Sequence, residues 1–148
     1  MSNRTRQEGT DANQPIPGEP SPVLFYDGEC GLCHRCVDWF LRHDGRARLR
    51  FAPLQGETYA NLDRDRPEDL STMVLVDDRG VWIESDAVRS ALRAVGGGWG
   101  VIAATSRILP KFLRDAAYRF VAKRRLGWFG PADACRIPGD GDESRFLP

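Results

Sequence analysis

The chain has 148 residues, 41% of them apolar and 28% charged, which fits one globular domain whose core needs no covalent staples. Lysine plus arginine balances aspartate plus glutamate at 21 each, so bulk charge favours neither nucleic acid nor an anionic membrane as partner. The opening residues lack the apolar core and cleavage site of a secretory signal, and no later stretch approaches ~18 uncharged apolar residues, so a cytoplasmic protein without a membrane span is expected.

Residues 1–21 are polar and carry Pro15, Pro17 and Pro20, a composition that reads as a disordered leader. Order begins at "PVLFYD" (22–27), an apolar, aromatic strand ended by the Asp27-Gly28 turn. Cys33, Cys36, Val37, Phe40 and Leu41 then follow the i, i+3, i+4, i+7, i+8 stripe of an amphipathic helix, closed by "HDGR" at 43–46. "ARLRFAPL" (47–54) alternates like a half-buried strand. Strand, helix and strand make a βαβ unit, which requires parallel strands and a right-handed crossover.

A polar helical stretch is expected from Gly56 to Arg64, with "DRDRPED" as its loop. "STMVLVDDRGVWIES" supplies two strands, Met73–Val76 and Val81–Ile83, joined antiparallel through "DDRG". Ser85-Asp86 opens a helix with Ser85 as its N-cap, and the glycines at 96–98 stop it. The order is β-α-β-α-β-β-α, and from Trp99 onward the chain reads as an added helical segment broken at Pro110. In "KFLRDAAYRFVAKRRL", Phe112, Leu113, Ala116, Phe120 and Val121 form the expected packed face. Lys111, Arg114, Arg119, Lys123, Arg124 and Arg125 form a solvated basic one. The domain is expected to span 22–137, with a polar tail at 138–148.

The chemistry lies in "FYDGECGLCHRC", where Cys30, Cys33 and Cys36 are spaced by three at a strand-to-helix junction. At the start of a helix, free backbone N–H groups and the positive end of the macrodipole favour an anion, so Cys30 stands where a thiolate is stabilised. Cys33, one turn deeper on the core stripe, is shielded and within disulfide reach. That arrangement suits thiol-disulfide exchange, Cys30 attacking and Cys33 resolving. Cys36 reads as a buried small hydrophobe. Asp27 is a candidate to take or relay the proton of Cys33, against an ordinary turn role for an Asp-Gly pair. Glu29 opposes thiolate formation, and His34 lies off the stripe and is expected in solvent.

Two other readings use the same cysteines. Cys30, Cys33 and Cys36 reproduce the first three ligands of a ferredoxin run, and Cys135 could complete a zinc or iron-sulfur set, although a regular helical stripe turns Cys36 to the core. A dithiol could also sense oxidation without turnover, in an interaction module docking through the basic helix at 111–125.

"YDGECGLC", "FAPLQ" (51–55), "SDAV" (85–88) and "YRFVAKRRLGWFGPADAC" (118–135), agreeing in order, resemble the DCC family of thiol-disulfide oxidoreductases. The resemblance implies a thioredoxin-like α/β fold, a mixed four-stranded sheet flanked by helices. It places the family motif on Asp27, Cys30 and Cys33 and its late cysteine on Cys135. It implies no bound cofactor but an external thiol electron donor, and as substrate a disulfide-containing protein or a low-molecular-weight thiol. Thioredoxins and glutaredoxins place a cis-proline before the third strand, where substrate backbone pairs. Here Thr72 stands nearest that place, so a trans peptide and a different docking geometry are expected. "WIESDAV" resembles the glutaredoxin hairpin and helix start that hold a glutathione carboxylate, which makes Ser85 and Asp86 candidate glutathione contacts as well as cap residues.

Overall fold

The structure, a computed structural model, describes residues 21–62, 65–68, 70–131 and 142–148. The expected leader, apart from its last residue, and Cys135 lie outside the described residues. Val23–Tyr26 form β1, Gly31–His43 α1, Arg50–Pro53 β2 and Glu57–Ala60 α2. Val74–Asp77 form β3, Gly80–Ile83 β4, Glu84–Val95 α3, Gly97–Thr105 α4 and Lys111–Phe129 α5, with a 3-10 turn at Ser106–Ile108 before α5.

The strands make one mixed sheet in the order β2-β1-β3-β4. β1 and β2 are parallel, as a helical crossover demands, and the β3–β4 hairpin runs antiparallel with β3 against β1. In register, Leu24 lies beside Phe51 and Leu75. Their side chains share the face that receives Val37 and Phe40 of α1 and Ala87 and Ala91 of α3. Phe25, Ala52 and Val74 point the other way and pack with Leu54 and Tyr59. The period-two alternation of "VLFY" thus builds two cores on one strand, each buried Phe or Leu contributing about 1.5–3 kcal/mol. The architecture is the thioredoxin-like α/β sheet, with α4 and α5 added.

Several elements differ from the reading of the sequence. β2 begins at Arg50 because the Asp44 carboxylate accepts the backbone N–H groups of Arg48 and Leu49, holding 47–49 in a loop. α2 is a single turn. Ser85 does not cap α3, which starts two residues earlier, at Glu84 after Ile83; its hydroxyl instead donates to Asp115 of α5. Residues 142–148, expected in a polar tail, return to β2: Leu147 N–H donates to the Phe51 carbonyl, and the Phe146 ring lies 5.7 Å from that of Phe51. Arg145 fastens this return by pairing with the fully buried Asp44 and donating to the Leu49 carbonyl at 3.2 Å.

The largest difference is the orientation of α5. Phe112, Leu113, Phe120 and Val121, expected to pack, are exposed, whereas Asp115 and Arg125 are buried. The inward side of α5 makes polar contacts: Lys111 and Arg114 reach Asp86, and Arg119 reaches Glu84.

Removing one partner of a buried ion pair strands the other charge. Arg145→Ala should therefore lower the stability to urea by about 3 kcal/mol or more. Arg79→Ala removes the half-exposed partner of Asp77, which keeps its bonds from Trp82 and the Arg79 and Gly80 N–H groups, and should change it by less than about 1 kcal/mol.

Candidate active site

β1 delivers the chain to the site and the Asp27-Gly28 turn aims it. Cys30 N–H donates to the Asp27 carbonyl at 3.3 Å, while the Asp27 carboxylate accepts the Glu29 N–H at 3.0 Å and Gln55 Nε2 at 2.9 Å. Cys30 is the residue preceding α1, in extended conformation, and no side chain caps the helix there. Cys33 follows one turn later among Val37 and Phe40. Both are deeply buried, Cys30 at 0% exposure and Cys33 at 4%, and Cys36 is half-buried. All three are free thiols.

Arg125 of α5 completes the group. Its Nη2 donates to Asp27 Oδ2 at 3.0 Å and its Nη1 lies 3.6 Å from Cys33 Sγ, so one guanidinium joins the turn carboxylate to the second sulfur. Burial pushes the Cys33 thiol up to about 12, helped by the charge of Cys30 and a hydrogen bond with it; Arg125 and a backbone hydrogen bond from Asp27 pull the other way. Cys33 therefore keeps its proton at neutral pH. Cys36 is raised as well, by burial first and then by Cys30.

The Asp27 carboxylate is bound by three donors, and one of them, Arg125, also lies against the Cys33 sulfur.

Thr72 faces the same region. Its hydroxyl donates to the Tyr118 phenol oxygen at 3.2 Å, and the Met73 N–H donates to that oxygen at 2.8 Å. No peptide bond is cis among the described residues. Burial raises the Tyr118 pKa against the two bonds from Met73 and Thr72, with Cys33 and Arg125 also exerting their charge on it. The backbone donor next to the expected proline position is therefore taken by a side chain of α5. The sequence reading gives Tyr118 no role and places Arg125 on a solvated face, although both lie in the segment that carries the family resemblance. Their spacing of seven, which puts them on one helix face, was the available signal.

Ser85 and Asp86 are drawn into α5 instead of lying open. Ser85 is bonded to Asp115, and Asp86 pairs with Arg89, Lys111 and Arg114. Burial works against ionised Asp86, but the bonds and charges of Lys111 and Arg114 hold its carboxyl below the ordinary value. His34, expected in solvent, is half-buried with Nε2 donating to the Gly28 carbonyl at 2.8 Å, and its ring meets Tyr26 edge-on. Among the described residues no three His, Cys, Asp or Glu side chains converge as metal ligands, so Cys30, Cys33 and Cys36 do not form such a triad. No helix among them is long and apolar enough to cross a membrane.

The chain beyond α5 covers the first sulfur. Pro131 forms an antiparallel bridge with Cys30, and Gly31 N–H donates to the Gly130 carbonyl at 3.3 Å. Gly31 permits this approach: a Cβ there would stand 3.0 Å from the Phe129 carbonyl oxygen and 3.1 Å from that of Gly130.

A thioredoxin-like sheet with a Cys-x-x-Cys pair at the head of its first helix defines a dithiol protein of the thiol-disulfide exchange class. More narrowly, residues 24–131 match the DCC1-like thiol-disulfide oxidoreductase family, and the chain belongs to that family. It is 33% identical over 132 residues to the uncharacterized protein YuxK of Bacillus subtilis, covering 87% of this chain and 96% of that one. It is 32% identical over 119 residues to a chloroplastic DCC family protein of Arabidopsis thaliana, covering 78% and 69% of the two chains. No solved structure matches the chain.

Crowding at Gly31 tests the cover. Overpacking costs about 1–3 kcal/mol, so Gly31→Ala should loosen the Gly130–Pro131 contact and raise the rate of Cys30 alkylation roughly tenfold, followed by mass spectrometry, with the far-UV circular dichroism unchanged.

Proposed function

We propose that this chain is a protein-disulfide reductase that turns over through Cys30 and Cys33. The observation that carries the reading is the division of the two sulfurs by their surroundings. Cys30 heads the helix, while Cys33 sits behind it with its proton retained and a cation 3.6 Å away.

In the first step the Cys30 thiolate attacks one sulfur of a substrate disulfide. A Cys30–substrate disulfide forms and the other substrate sulfur leaves as a thiolate. In the second, Cys33 gives its proton to the departed thiolate or to water and attacks Cys30 Sγ. The second substrate thiolate leaves, and the enzyme holds a Cys30–Cys33 disulfide. Two electrons have passed to the substrate, and an external thiol donor returns two by the reverse exchange.

Arg125 serves the second step. Once Cys30 is in the mixed disulfide it no longer repels charge on Cys33, so burial alone opposes the Cys33 thiolate and Arg125 favours it. Asp27, with Gln55 behind it, holds the guanidinium in place. The reading needs no bound cofactor. Glutathione or a protein dithiol would act as donor, and contact of glutathione with Ser85 and Asp86 would require their release from Asp115 and Lys111. Thr72 would take part in substrate docking once the Tyr118 phenol is displaced. A cytoplasmic location, where thiol donors are abundant, belongs to the same reading.

The cover over Cys30 favours a second reading, a redox-sensing module that is oxidised once and slowly. Continuous turnover with a reductase system supports the enzyme, whereas a single stoichiometric oxidation supports the sensor.

Cys33→Ser should accumulate a mixed disulfide at Cys30 with a model protein disulfide, seen as a mass adduct, and Cys30→Ser should form none. Equal activity of Cys30→Ser and the native chain would refute the mechanism. Arg125→Gln should lengthen the life of the mixed disulfide about tenfold, the effect of one unit of Cys33 pKa. It should also displace the pH profile of resolution to higher pH, since the loss of a nearby cation raises a thiol's pKa.

A further inference from the structure

The outward face of α4 and α5 is apolar. Phe112 is 75% exposed, Ile108 84% and Val101 62%, and Ile102, Leu113 and Phe120 are exposed beside them in the chain. Helix α5, which carries Phe112, Leu113 and Phe120, is held from behind by polar contacts, so its apolar side cannot turn inward without breaking the Arg125–Asp27 and Arg119–Glu84 pairs. An exposed apolar surface of this extent marks an interaction site.

Charge indicates its occupant. Between Gly96 and Pro131 the sequence has one acidic residue, Asp115, which is buried and paired with Lys111. The cations of the same stretch stand among the apolar groups: Arg124 lies 4.4 Å from the Phe120 ring centroid and 5.8 Å from that of Trp128, with exposed Lys123 beside it. Near the start of α5, a cavity of about 410 Å³ is lined by Arg89, Arg93, Arg107 and Arg114 against Asp86, with Trp82 and Ser90 completing it. Arg89 and Arg114 share that carboxylate, whereas Arg93 and Arg107 pair with no carboxylate among the described residues. The apolar residues Ile108 and Leu109 directly follow Arg107.

We propose that this face docks on a bilayer of anionic phospholipid. The exposed apolar side chains of α4, the 3-10 turn and α5 enter the interface, and lipid phosphates meet Lys123 and Arg124. Aromatic and aliphatic groups interleaved with cations suit such a surface, because the apolar groups supply partitioning and the cations select the lipid charge. A second copy of the chain suits it poorly: a symmetric contact would bring cation against cation. The proposal is independent of the redox reading.

The test is cosedimentation of the full chain with vesicles of phosphatidylcholine alone and of phosphatidylcholine mixed with phosphatidylglycerol. The chain should favour the mixed vesicles by about tenfold or more, since each basic residue near an anionic surface contributes about 1 kcal/mol. The double change Phe112→Ser and Phe120→Ser should abolish binding while leaving the thermal midpoint and free-thiol count unaltered. Lys123→Glu with Arg124→Glu should remove the preference for phosphatidylglycerol. The proposal is overturned if the native chain stays in the supernatant with both vesicles, or if the serine variant binds as the native chain does. It is equally overturned by a concentration-dependent dimer in sedimentation velocity that the serine variant abolishes, since a second copy would then cover the face.

Discussion

The buried guanidinium of Arg125 is the constraint on which the added part of this fold depends. A cation taken out of water must find an anion and hydrogen-bond acceptors, and Arg125 finds Asp27 at 3.0 Å with Cys33 Sγ at 3.6 Å. That requirement fixes which side of α5 faces the sheet. Residues earlier on the same side, Tyr118 and Asp115, then fall against Met73 and Ser85. The apolar groups between them have only solvent or a partner to meet. One ion pair thus holds a cation beside Cys33, where it counters the stronger effects of burial and Cys30, and fixes the character of the opposite surface.

Burial and reactivity oppose each other at the dithiol. The Gly130–Pro131 segment excludes water from Cys30, and a low-dielectric site strengthens the coupling among Cys30, Cys33 and Arg125. In the proposed exchange a substrate disulfide would have to displace the same segment to reach Cys30. Gly31, with no Cβ to hold the carbonyls of 129 and 130 away, is the residue through which the sequence sets how tightly that cover closes.

The order of the first seven elements was legible because local signals carry it. The stripe from Cys33 to Leu41 reports one helix face, the apolar, aromatic run "VLFY" reports a strand, and the Asp-Gly and Asp-Asp-Arg-Gly turns mark the junctions. The two sulfurs were legible for the same reason: their spacing of three places one at the head of a helix and the other one turn inside it. The orientation of α5 was not legible. Its inward residues are polar, and their partners Asp27, Glu84 and Asp86 are 25 to 98 residues away, a pairing that periodicity cannot report. An apolar stripe on a helix ordinarily marks core, and here long-range ion pairs outweighed it. The return of 142–148 to β2 was hidden likewise, because the anchor is a buried pair between Arg145 and Asp44, 101 residues apart.

The central claim, that Cys30 and Cys33 form one redox couple, is tested most directly by a redox titration of the metal-free full chain. Free thiols are counted by mass after alkylation at each potential, and any disulfide is located by peptide mapping. The account predicts one reversible two-electron transition that converts Cys30 and Cys33 to a mutual disulfide while Cys36 stays alkylatable after unfolding. A disulfide that leaves Cys33 out, or thiols that resist alkylation until a chelator is added, would contradict it.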